Sequence, residues 1–298
     1  MNAATGVGPP ARAPGSGPLT GVAAFHYRLR RRARGAEPGA HPGTQRGGGM
    51  EFRGHATLLN APDPRRFDIA ASLRDPFNRI MVRVYTQRSA VPVRVIADVS
   101  ASMGFTGRCR KMDLLADFTE SLALSASRSG DPFAFSGCDS KLRADLFLPL
   151  THSRAAAALT AAKLRDLVPS GRNAAGLLEA VEQTPPRRSL VFLVSDFHFP
   201  NGTLARLLAG LALHEVVPVV VLDSAEGMVP RFGIARVYDP ETGGQRVLLV
   251  RPALAERLQA SLTRRLNALT ECCARFGVKP LVIRDRFEAD AVTRYFYG

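Results

Sequence analysis

No run of apolar residues in this 298-residue chain approaches the ~20 that a membrane-spanning helix needs. The amino-terminal stretch also lacks the apolar core of an export signal: Pro9, Pro10, Pro14 and Pro18 precede its basic cluster, so no export is expected. Cysteine is scarce. Cys109, Cys138, Cys272 and Cys273 form no C-x-x-C pair, and the adjacent two fall on a predicted helix, a poor arrangement for a disulfide or for zinc. Reduced thiols in a cytoplasmic protein are the expected state. The motif G-x-x-x-x-G-K-[ST] is missing, which excludes ATP binding through that loop. No G-x-S-x-G elbow surrounds Ser100, which argues against a serine hydrolase built on it, and His198 is then a residue at the rim of a loop. Acidic residues are outnumbered, 26 against 40 Lys and Arg. The resulting +14 attracts nucleic acid, anionic lipid or an acidic protein partner without choosing among them.

What is present is a body that should fold, 46% hydrophobic and long enough to bury a substantial core. Residues 1–40 are rich in Gly, Ala, Pro and Arg and read as a disordered basic tail, with a short helix over 23–34. Within the tail, residues 28–34 form an arginine cluster that could hold phosphates, against the plainer reading of a solvated tail. Gly15 to Gly21 fits G-x-G-x-x-G in form, but no strand precedes it and Pro18 stands where the helix should begin. Residues 41–88 read as a lead-in containing an extended piece over 79–85, with Arg65 and Arg66 placed for a salt bridge to Asp68 or Asp75. Residues 89–298 form the main domain, with a hairpin near 234–250.

The stretch from Val91 to Ala97 is short, apolar and β-branched, which predicts a buried central strand. It delivers Asp98 at its carboxyl end, with Ser100 and Ser102 following at a spacing of two. A second apolar strand, 190–196, ends in Asp196. In an open parallel sheet ligands bind beyond the carboxyl ends of the strands, so both aspartates can reach one site. A carboxylate and two hydroxyls there suit Mg²⁺ or another hard divalent cation. Helices are predicted over 111–128, 155–167, 174–182, 204–214 and 253–276, the last with a stripe of Leu254, Leu258, Leu262, Leu266, Leu269 and Cys273. Strands are predicted at 132–136 and 142–148, joined as an antiparallel hairpin, and at 216–222 and 279–283. Alternating strands and helices argue for an α/β fold with a mainly parallel sheet covered on both faces.

Asp98-Val-Ser100-Ala-Ser102, followed by Ser195-Asp196, resembles the metal-ion-dependent adhesion site of von Willebrand factor A domains. The order of Gly47-Gly-Gly-Met-Glu-Phe52, Asp63-Pro-Arg-Arg-Phe-Asp-Ile69, Val82-Arg-Val-Tyr85 and the metal loop is similar to the bacterial group known as domain of unknown function fifty-eight. Ile69 departs from it, standing where that family usually has tryptophan. The resemblance implies a von Willebrand factor A-like fold and a non-catalytic adaptor working with a MoxR-type AAA+ ATPase. The task it implies is maturation or cofactor insertion for another complex, methanol dehydrogenase being one such setting. It further implies that Ser100 and Ser102 ligate a cation directly while Asp98 and Asp196 hold it through waters or hydrogen bonds. The third metal loop falls at 169–173, where Arg172 replaces the usual threonine. A guanidinium cannot ligate a cation, and its fork suits a carboxylate such as Asp98 or Asp196. Arg172 is therefore expected to replace the metal or bind the partner, with Ser170 the alternative oxygen. A nucleic-acid-binding protein and a metal-dependent hydrolase remain the competing classes.

Overall fold

The computed structural model describes residues 22–30, 38–171, 173–226, 233–238, 245–250 and 252–298. Its lead-in is a two-stranded antiparallel ladder of β1 (Pro38–Thr57) and β2 (Met81–Ser89). Between them stands the short helix α1 (Ile69–Arg74), capped by Asp68, whose carboxylate accepts from the Ala71 N–H and is bound by Arg83 and His55. Arg66 pairs with Asp63, three residues back, and Asp75 with Arg79, so neither aspartate expected for the arginine pair receives it. The helix and turn spacing brings a nearer partner to each.

The main domain continues through β3 (Val93–Asp98), α2 (Lys111–Ser129), β4 (Phe133–Cys138), β5 (Leu142–Thr151), α3 (Arg154–Asp166), α4 (Gly176–Glu182) and β6 (Leu190–Ser195). After these come α5 (Asn201–Gly210), β7 (Glu215–Leu222), β8 (Gly233–Tyr238), β9 (Gln245–Val250), α6 (Pro252–Arg275), β10 (Leu281–Arg284) and α7 (Ala289–Tyr297). Six strands form the sheet in the order β10-β7-β6-β3-β4-β5, parallel except for the β4–β5 pair at one edge. Counted from β3, the order is 3-2-1-4-5-6, the doubly wound arrangement whose topological switch point lies between β3 and β6. With an antiparallel strand at the edge, this is the von Willebrand factor A-like architecture that the motif implied.

The period-two alternation of the strands divides the core into two layers. Val93, Val95, Phe192 and Val194 face a cluster with Phe118 and Leu122 of α2, while Ile96, Val191 and Leu193 face one with Leu204, Leu207 and Cys273. Each such fully buried large side chain contributes roughly 1.5–3 kcal/mol. Helix α2 ends at Gly130, whose φ of 72° supplies the left-handed cap that a residue with a side chain would resist.

Several expectations need correction. Residues 22–30 are not a helix: they run without regular structure, and Phe25 and Tyr27 are buried in the first core layer. The segment buries two aromatic rings, which a composition dominated by Gly, Pro and Arg conceals. Helix α5 begins and ends earlier than the 204–214 expected, and β1 and α7 had no counterpart in the sequence reading. In the α6 stripe, Leu269 and Cys273 are buried; Leu254 and Leu258 lie outside the described side chains, as does the turn 239–244 of the β8–β9 hairpin.

Candidate functional site

Strand β3 ends in Asp98, and the chain turns at once into a 3-10 turn over Ala101–Gly104. Asp98, Ser100 and Ser102 are all buried. The Ser100 N–H donates to Asp98 Oδ1 at 2.9 Å, and the Ser195 hydroxyl, from the end of β6, donates to Asp98 Oδ2 at 2.6 Å. Ser100 Oγ lies 3.3 Å from Ser102 Oγ, and Ser102 Oγ donates to Asp196 Oδ1 at 3.1 Å. The structure thus brings all four expected residues into one hydrogen-bonded cluster at the carboxyl ends of β3 and β6. The residue after Asp196, Phe197, takes a φ of 53° and is buried, an uncommon conformation for a bulky side chain. Its N–H donates to Ser195 Oγ, so the turn that presents Asp196 also fixes the hydroxyl on Asp98.

The third loop also arrives where it was expected. Gly171 bridges to Ser100 and accepts from the Ala101 N–H at 2.7 Å. A Cβ at Gly171 would stand 2.4 Å from Asp139 Cβ, so only glycine lets the loop close against the β4–β5 turn. Ser170 is exposed, and Arg172 lies outside the described residues.

Lys111, the first residue of α2, is the member that sequence reasoning missed. Its side chain is almost wholly buried, and its ammonium donates to Asp196 Oδ2 at 2.7 Å and to the Ser102 carbonyl at 3.2 Å, with Glu226 forming a second ion pair. The ring of Phe105 lies 5.8 Å from the ammonium. The signal available in the sequence was a lysine at a helix start shortly after the serines, beside Arg110 and Asp113, which reads equally well as a solvated turn. Burial alone would raise the pKa of Asp196, but its hydrogen bond with His198 and the Lys111 ammonium hold it well below the usual carboxylate range. His198 lies at the rim as expected: its Nδ1 is 3.3 Å from Asp196 Oδ2 and its side chain is 42% exposed.

Asp98 is different. Burial, then the neighbouring Asp196 charge, pushes its carboxyl up to about 6. Both of its oxygens accept hydrogen bonds from neutral groups, and among the described residues no cation pairs with it. The donor set fits a hard cation. The separation of the two seryl oxygens is close to the roughly 3 Å between adjacent ligands of an octahedral ion with 2.0–2.1 Å bonds. Asp196, engaged by Ser102, His198 and Lys111, is placed to hold such an ion through hydrogen bonds more than by direct ligation.

A second group, Cys109, Asp223 and Asp285, has ligand atoms within 4.8 Å of one another. Asp223 is spent as a loop anchor, accepting from the N–H groups of Gly107, Arg108, Cys109 and Ala225. Burial, then the charges of Asp223 and Asp285, pushes the Cys109 thiol up to about 12.

A family model, "Protein of unknown function DUF58", matches residues 62–267. The chain belongs to that family. Among relatives of this DUF58 chain is a Paracoccus denitrificans protein, "Uncharacterized protein in moxR 3'region", 40% identical over 100 residues, which are 33% of this chain and 95% of that protein. An uncharacterized protein of Mycobacterium bovis is 26% identical over 230 residues, covering 73% of this chain and 69% of its own length. Among solved structures, BatB from Bacteroides thetaiotaomicron aligns with a TM-score of 0.44 at 13% identity, covering 69% of this chain and 96% of that one. The SpRpn10 VWA domain aligns with a TM-score of 0.36 at 11% identity, covering 69% and 95%. No helix among the described residues is long and apolar enough to cross a membrane.

Proposed function

We propose that this chain is a non-catalytic, cytoplasmic adaptor that binds an acidic partner protein through a divalent cation, Mg²⁺ or another hard ion, held at the ends of β3 and β6. In this reading it serves a MoxR-type AAA+ ATPase in maturing, or inserting a cofactor into, another complex. The observation that carries the proposal is Asp98: a buried carboxylate with no described cationic partner, beside two hydroxyls at ligand spacing. Burying an unpaired charge costs several kcal/mol, and a cation removes that cost. Bound there, a cation supplies a Lewis-acidic coordination position for a carboxylate of the partner. Ser100 and Ser102 are the direct ligands, Asp98 and Asp196 orient them, and Lys111 keeps Asp196 ionised. The match to a protein whose name places it in the 3' region of moxR supports the ATPase as the working partner. The carboxylates at the other strand ends are already engaged among the described residues, Asp223 by four loop N–H groups, Asp285 by the Ser224 N–H and Asp139 by Arg143, which favours the adaptor over a two-metal hydrolase.

Arg172 and Lys111 both place positive charge in the sequence or structure of the metal loops, so binding in the native chain is weak. Calorimetry with Mg²⁺ tests this. Arg172→Thr should tighten binding by roughly tenfold or more, and Ser100→Ala should abolish it. Mg²⁺ binding indifferent to Ser100→Ala and Ser102→Ala would remove the site. Hydrolysis of ATP or of a phosphoester by the purified chain, lost on Asp98→Ala, would replace the adaptor with an enzyme.

A further inference from the structure

At the opposite end of the sheet, beside the first residues of β7, lies a cavity of about 320 Å³ whose wall includes Arg28, Arg30, Arg188, His214 and Tyr295. We propose that this cavity is a binding site for a small phosphate-bearing anion.

Arg28 and Arg30, from the amino-terminal arginine cluster, are held in this wall by structure, not merely tethered near it. Phe25 and Tyr27 are buried in the core, the Phe25 N–H donates to Ser125 Oγ at 2.9 Å, and the His26 N–H donates to Thr293 Oγ1 at 3.1 Å. These anchors deliver Arg28 and Arg30 to the cavity. Their charges are not consumed there. The guanidinium of Arg28 lies over the Tyr297 ring at 5.0 Å, and that of Arg30 donates to the neutral Gly277 carbonyl at 3.0 Å. Glu215 is the one acidic side chain in the wall among the described residues, and it accepts from the backbone N–H of Arg30 at 2.8 Å. Setting Glu215 against Arg28, Arg30 and Arg188 leaves the described side chains of the wall net positive.

Two residues of the wall, Arg188 and His214, each hold a buried nitrogen without a hydrogen-bond partner, Nε and Nδ1. An unsatisfied buried donor such as Arg188 Nε costs about 1–3 kcal/mol, a cost that an acceptor oxygen of a ligand reaching it removes. Burial, then the charges of Arg94 and Arg188, pulls the pKa of His214 down, as expected where cations crowd one histidine. Guanidinium groups match phosphate oxygens in fork geometry. The cavity lies at the low end of the size range for small-molecule sites, which favours a compact phosphate over a nucleic-acid strand.

Calorimetry on the full chain at physiological salt, with inorganic pyrophosphate and with AMP as probes, tests the site. One-site saturable binding of at least one probe is expected, weakened tenfold or more by Arg188→Gln and by the double variant Arg28→Gln/Arg30→Gln, and unchanged by the surface control Arg154→Gln. Thermal melts report whether Arg188→Gln folds. If it does not, the double variant decides, since both of its residues are exposed. The proposal is overturned if neither probe saturates, or if binding is equal in the native chain and the double variant. It is also overturned if an oligonucleotide binds with a steep salt dependence that pyrophosphate cannot compete away.

Discussion

Lys111→Met is the substitution that most directly probes how the buried charges at the strand ends are balanced. The ammonium is almost inaccessible, lies 2.7 Å from Asp196 Oδ2 and also contacts Glu226. Methionine keeps the length of the stem and removes the charge. Breaking a buried pair by removing one partner costs about 3–5 kcal/mol, because the other charge stays buried without compensation. Against a typical domain stability of about 5–15 kcal/mol, that is a large share. Urea unfolding of the native chain, Lys111→Met, Asp196→Asn and the double variant closes a thermodynamic cycle. If the pair is what sustains the ionised Asp196, the double variant should be more stable than Lys111→Met alone. Recovery should be partial, since Glu226 keeps only Arg265, at 3.8 Å, as a described cation. The coupling should lie between about 1 and 3 kcal/mol. A Lys111→Met loss below about 1 kcal/mol, or a coupling indistinguishable from zero, would refute the account of Lys111 as the counter-charge of the site.

Two further perturbations follow from the same structure. Asp98 has a folded-state pKa raised from 3.8 to about 6 by burial and by Asp196, so between about pH 4 and 6 the folded chain holds a proton that the unfolded chain has released. Its contribution is therefore full below that window and is lost as pH rises through it, by up to about 3 kcal/mol. The stability difference between the native chain and Asp98→Asn, measured by denaturant titration without divalent cations, should change across this window; a difference constant from pH 4 to 7 would show that Asp98 is not so perturbed. Phe25→Ala should cost about 3–5 kcal/mol, as for a buried core aromatic, because Phe25 stacks against Phe118 at a centroid distance of 6.1 Å. A melting temperature unchanged by Phe25→Ala would mean that the amino-terminal segment is not docked.

What the sequence made legible follows from where its physical signals are local. The strand β3 and the spacing of Asp98, Ser100 and Ser102 can be read from a short window, because a buried parallel strand is a continuous apolar run and its carboxyl end is where polar ligands must begin. Asp196 was readable for the same reason, at the end of β6. Lys111 was not. Its burial depends on Asp196 and Glu226, which lie 85 and 115 positions away, and nothing at the start of α2 distinguishes a lysine held by those carboxylates from one in solvent. The segment 22–30 failed in the opposite way: its neighbours' composition outweighed two aromatic residues whose partners, Phe118 and Asp131, lie in and just after α2. Tyr27 donates its hydroxyl to Asp131 Oδ2, and His41 lies 2.7 Å from that same oxygen. One buried carboxylate therefore ties the amino-terminal segment to the start of β1. Both misses are residues given their roles by distant partners. The two ends of the sheet consequently differ in how they can be found: the metal-loop end is written into two strand termini, whereas the arginine-lined end exists only once the chain's first described residues have crossed the core.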